Sequence, residues 1–221
     1  MKIVLHEKDG FVYAKVDAER SEFNEMRSLG LAWMKHDIAQ LIKDANKALR
    51  LSIDENSDWS QLCECVDGNS AVSEYVINVW HDHTNAYISE AAIHVYLGND
   101  WRLVFKYNEL YSSSDGSLKD KTLYDVYTRS KNKHGLSKVP KEAIGIYVLT
   151  HYCGGLVFLV GYATLDELKR GTPEKYSRRS VPINKLHQVC FLKSDYRLGL
   201  ESHVSEERLL NLEARFAKFE S

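Results

Sequence analysis

Three prolines and twelve glycines in 221 residues are too few for a disordered, collagen-like or linker-built chain. Four cysteines, Cys63, Cys65, Cys153 and Cys190, are too sparse for a disulfide framework. The Cys63-x-Cys65 pair also lacks the Cys-x-x-Cys spacing of structural zinc and redox sites, so all four read as reduced thiols. No run approaches the roughly 18 apolar residues of a membrane span, and the N-terminus is polar by its sixth residue; a cytoplasmic protein without a membrane partner is expected. Net charge is only −2, so any electrostatic attraction to a polyanion must come from local clusters. Gly-x-Ser-x-Gly, Walker and dinucleotide fingerprints are absent, which leaves acyl transfer and nucleotide-cradling loops without support.

What is present is a globular balance, 44% hydrophobic and 27% charged residues, in a chain long enough for one core with an extension. Residues 2–5 and 11–16 read as a hairpin around Asp9-Gly10. From Ser21, a candidate cap, apolar residues recur at helical spacing through Leu49, with a kink expected near Gly30. A polar connector follows, with at most a short helix at 59–66. The stripe from Ser70 to Leu97 then predicts one long helix, or two broken near Thr84, stopped by Gly98-Asn99.

Beyond Gly98 the texture changes to β-branched and aromatic runs: WRLVFKY, TLYDVYT, IGIYVLTHY and LVFLVGYAT, the last two separated by a Gly154-Gly155 turn. A short helix at 165–169, a weak strand at 181–183 and a closing helix at 205–219 complete the reading. The expected fold is mixed α/β of the α+β kind, a helical N-terminal part (1–69) followed by a mixed sheet with flanking helices (70–221).

Two segments are strongly basic. Between Lys119 and Lys141, seven Lys and Arg face Asp120 and Asp125, a net of +5. Between Lys169 and Lys185, six face Glu174 alone, again +5. Lys131, Lys133, Arg178 and Arg179 sit in them among Ser, Asn and Tyr, a composition suited to phosphate contacts and equally to solvated edges. His81, His83 and His94 invite a metal reading, but positions i and i+2 do not face one another on a helix.

The stretch from Ser89 to Ala163 orders a helix with an acid (Glu90), a turn with acids (Glu109, Asp115), a strand YDVYTRSK, a YVL strand and a VGYAT strand. This order resembles the PD-(D/E)XK nucleases, over about the last 130 residues. The resemblance implies a restriction-endonuclease-like sheet and metal-dependent phosphodiester hydrolysis on nucleic acid, DNA in preference to RNA. Mg²⁺, with Mn²⁺ as substitute, would be held by Asp125 together with Glu109 or Asp115, and Glu90 would be the helix acid. Lys131, Lys133, Arg178 and Arg179 would grip the phosphate backbone, and the N-terminal helices would serve docking or homodimer formation. The family's lysine, two residues after the second acid, is here Tyr127. Alternation puts Arg129 on the Asp125 face as the nearest cation, with Lys106 and Lys131 as further substitutes. Either the lysine comes from another strand, or the scaffold binds nucleic acid without cutting it.

Overall fold

The computed structural model describes residues 1–8, 11–105, 114–129, 135–193 and 203–217. It is a mixed α+β protein. Two compact units emerge, Met1–Ala18 with Ile88–Ser221, and Glu19–Tyr87. This differs from a cut at residue 69: the opening hairpin belongs to the sheet, and the first part of the long helix belongs with the helices before it.

In the helical unit, α1 (Arg20–His36) and α2 (Ile38–Leu49) meet at Asp37, whose φ of −112° and ψ of 43° interrupt the helix. The break therefore falls seven residues after Gly30, and the cap is Glu19 in a reciprocal capping box with Glu22. Gly30 has a packing role instead: a Cβ there would lie 3.3 Å from Trp80 and 3.4 Å from His83. α3 (Trp59–Gly68) starts at Asp58, which forms a capping box with Gln61. Met34, Leu41, Ile42, Leu62 and Val72 close an apolar core.

α4 (Ser70–Tyr96) runs unbroken through Thr84, whose hydroxyl is satisfied within the helix by the Trp80 carbonyl at 2.9 Å. Trp101–Phe105, expected as a strand, is instead a helical turn with bonds from the Val104 and Phe105 amides to the Trp101 and Arg102 carbonyls. The two aromatics four apart meet edge-on at 5.8 Å, a contact that helical spacing provides and strand alternation does not.

Six strands make the main sheet: β1 (Lys2–Lys8), β2 (Phe11–Asp17), β3 (Gly116–Ser117), β4 (Leu123–Arg129), β6 (Ile146–Cys153) and β7 (Leu156–Thr164). Their order is β1-β2-β7-β6-β4-β3, and among these described strands only β4 and β6 run parallel. β5 (Gly135–Lys138), β8 (Thr172–Pro173) and β9 (Arg179–Pro182) form a second, antiparallel sheet in the order β5-β9-β8. α5 (Leu165–Arg170) follows β7, and α6 (Glu206–Ala217) is the last described helix, the Ser205 hydroxyl accepting the Arg208 amide at its start.

Phe158, Tyr147, Leu149 and Val160 fill one core with Leu136 of β5, Leu168 of α5, Leu186 and Leu209. Burying each such side chain contributes roughly 1.5–3 kcal/mol. That core holds the second sheet against the first, and so brings β5 to β4. Among the described residues no helix is long and apolar enough to cross a membrane.

Candidate active site

β4 alternates its side chains across the sheet. Tyr124 is buried and its hydroxyl meets His94 Nδ1 of α4 at 3.0 Å. Burial lowers the His94 pKa to about 4, so the ring is held neutral. Tyr124 also crosses its β3 partner Gly116, where any Cβ would run into the ring. Glycine at 116 therefore lets β3 lie flat under Tyr124, and this sets the residue before it, Asp115, against Asp125.

Asp115 is more than a turn residue. Its Oδ2 accepts the Val126 amide at 2.6 Å, and its carboxyl shares a hydrogen bond with that of Asp125. Its pKa is raised well above the ordinary carboxylate range, first by burial and then by the negative charges of Glu90 and Asp125. Three sequence-predicted acids thus meet electrostatically, from α4, the β3–β4 hairpin and β4. Glu90 and Asp125 are both buried, at 7% and 5% exposure. Burying neighbouring acids is costly, and a cluster of this kind is a candidate functional site.

The cation in contact is one that the sequence pattern did not single out. Lys138 of β5 places Nζ 3.2 Å from Asp125 Oδ2 and 5.7 Å from the centre of the Tyr127 ring. Its position is braced on both sides. Tyr147, the register partner of Asp125 on β6, accepts the Lys141 amide at 2.6 Å and donates to the Lys141 carbonyl. On the other side, Ser137 Oγ donates to Glu174 at 2.6 Å. Lys138 ends a four-residue strand with one fully buried apolar residue, Leu136, too short to signal itself by alternation. Its one legible sign is membership of the basic cluster between Lys119 and Lys141.

The remaining predicted residues fall elsewhere. Arg129 is buried on β4, four residues beyond Asp125 and so ~13 Å along the strand. Arg178 donates to the Ser137 carbonyl at 2.8 Å and Arg179 to that of Gly171 at 3.4 Å, so both guanidiniums brace the second sheet. Glu109, Lys106, Lys131 and Lys133 lie outside the described residues. The histidines of α4 do not converge: His83 packs on Trp33 and His94 on Tyr124.

Among the described residues no set of three or more His, Cys, Asp or Glu is arranged to enclose a metal by itself. The donor chemistry nevertheless fits Mg²⁺. That ion needs only one or two carboxylates, completing its shell with water and substrate oxygens, and a divalent cation would replace the proton that burial and neighbouring acids favour on Asp115. Comparison with protein families, with characterised proteins and with solved structures finds no match to this chain.

Proposed function

We propose that the protein is a metal-dependent phosphodiesterase acting on nucleic acid, built on a PD-(D/E)XK-like arrangement whose lysine is supplied by a different strand. The observation that carries this reading is Lys138 at 3.2 Å from Asp125, with Asp115 and Glu90 acting on the same carboxylate cluster. Asp115 and Asp125 would hold Mg²⁺ or Mn²⁺. Bound there, the ion would polarise a phosphoryl oxygen and make an attacking water more acidic.

The chain's own groups carry the rest. Lys138 sets a fixed positive charge beside Asp125, where it can orient a water or a phosphate oxygen, the task that Tyr127 in the motif position cannot perform. Glu90, buried on α4, adds negative charge that strengthens the pull of the pair on a cation. The Val126 amide fixes one oxygen of Asp115, so the carboxyl is already oriented before an ion arrives.

Purified protein incubated with mixed DNA and RNA substrates tests the reading, with Mg²⁺, with Mn²⁺ and with chelator. Cutting that needs the metal and falls at least ~10²-fold in Asp125→Ala is expected, the scale of losing one electrostatic stabiliser of a transition state. Lys138→Met should slow cutting by a similar factor with less effect on substrate affinity. No metal-dependent cutting by wild type, with binding that weakens steeply as salt rises, would favour a scaffold that binds nucleic acid without hydrolysing it.

A further inference from the structure

We propose that Tyr176, at the tip of the β8–β9 hairpin, is a base-stacking element that selects nucleic acid with an unpaired base beside the candidate active site. The inference rests on the nucleic-acid reading above, though not on catalysis. Tyr176 is 71% exposed, the most exposed large apolar or aromatic side chain among the described residues. Its φ is +59° and that of Ser177 is +58°. Two consecutive residues with positive φ, closed by the Arg178 amide on the Lys175 carbonyl at 3.4 Å, have the signature of a type I′ turn. Asn-Gly fits such a turn with least strain. Here a bulky aromatic and a serine occupy both left-handed positions, and strain of this kind at an exposed tip points to use of the side chain.

The hairpin is fixed to the candidate active site. Glu174 and Arg178, which flank the tip, both bond to Ser137, one to its hydroxyl and one to its carbonyl. Ser137 immediately precedes Lys138, and Lys138 pairs with Arg179 in the β5–β9 ladder. A strand spacing of ~5 Å and three residues of chain put the Tyr176 backbone within ~16 Å of that of Lys138. That distance is a few nucleotides of a single strand. Lys175, the residue before Tyr176, adds a charge suited to the phosphates of the strand whose base the ring meets. An aromatic face with basic neighbours is how sequence-tolerant binding of single strands is built, whereas the stacked bases of an intact duplex offer no free face.

The test is binding by the full chain, in chelator so that nothing is cut. The probes are a single-stranded oligonucleotide carrying 2-aminopurine and the duplex of the same sequence. Tyr176→Phe should bind the single strand within about twofold of wild type and keep the fluorescence change. The double variant Tyr176→Asn with Ser177→Gly relaxes the turn while removing the ring; it should fold at least as stably, yet lose about tenfold or more in single-strand affinity, with duplex affinity little changed. Wild-type affinity and fluorescence in the double variant would overturn the inference, as would equal losses on both probes. If Asp125-dependent cutting is seen while Tyr176 proves irrelevant, this inference fails and the hydrolytic reading stands. Tyr176-dependent binding without cutting sustains the stacking role and removes hydrolysis.

Discussion

The two compact units bury different things. In the helical unit the buried side chains are almost wholly apolar, Met26, Met34, Leu41, Ile42, Leu62 and Val72 among them, and Thr84, the buried polar group among its described residues, satisfies itself within α4. In the sheet unit the buried set includes Ser89, Glu90, His94, Ser114, Asp125, Arg129, Ser137, Thr150 and His151. An apolar interior costs nothing to keep dry, whereas buried carboxylates and imidazoles persist only where partners compensate them or a function retains them. The contrast teaches that the helical unit is built by packing, and that the sheet unit gives up stability to hold a polar cluster.

The largest effect that should sharpen this comparison comes from cavities. Phe158→Ala opens the core between the two sheets and should cost about 3–5 kcal/mol, moving β5 and with it Lys138. Ile42→Ala in the helical unit should cost about 2–5 kcal/mol while leaving metal-dependent cleavage of the folded protein unchanged. Denaturant melts paired with cleavage assays read both; equal losses of cleavage in the two variants would break the distinction.

A smaller effect is acid sensitivity. The folded pKa of His94, about 4, lies below its ordinary 6.5, so the neutral ring is the stabilising form. The contribution is complete above pH 6.5 and is lost as pH falls from there toward 4, where the unfolded chain takes up a proton the native state refuses. At full extent it amounts to about 3 kcal/mol. Urea melts across that window should show a flatter pH dependence for His94→Gln than for wild type, even though losing the Tyr124 contact lowers the variant's stability overall.

Asp115→Asn should give the smallest change, and in the opposite direction. Because burial and two neighbouring acids raise the Asp115 pKa, ionising it opposes folding. Stability is highest below the ordinary carboxylate range and declines as pH rises toward the raised value. The amide abolishes that decline. Its melting temperature should exceed wild type at neutral pH, with a gap that closes in acid. Metal-dependent cleavage should be lost in the same variant, so that stability and function move apart at one residue.

Much of the sheet could be read from sequence because β4, β6 and β7 are long β-branched and aromatic runs whose pattern survives any packing. Trp101–Phe105 has the same composition and became a helical turn, since hydrophobicity alone cannot separate the two periods over five residues. β5, β8 and β9 are two to four residues long and exist because the core around Leu136 and Val181 holds them, so the sequence announces only β9, as a weak strand at 181–183, and gives no local signal for β5 or β8. The candidate site divides in the same way. Asp125 interrupts an apolar strand and Glu90 lies on a helical stripe, so both were visible. Asp115 was also visible, as an alternative to Glu109, but the choice between them depended on Gly116 passing beneath Tyr124, and the role of Lys138 on a strand that only tertiary packing creates.

In the function proposed above, the Asp115–Asp125 pair would be a divalent-cation site. Calorimetric titration of Mg²⁺ and Mn²⁺ into the protein tests it most directly, in slightly acid buffers of differing ionisation enthalpy, with Asp115→Asn as control. One binding event that releases a proton from the pair is expected, with both the binding and the proton release lost in Asp115→Asn. Absence of binding by wild type, or binding of the same strength in the variant, would contradict it.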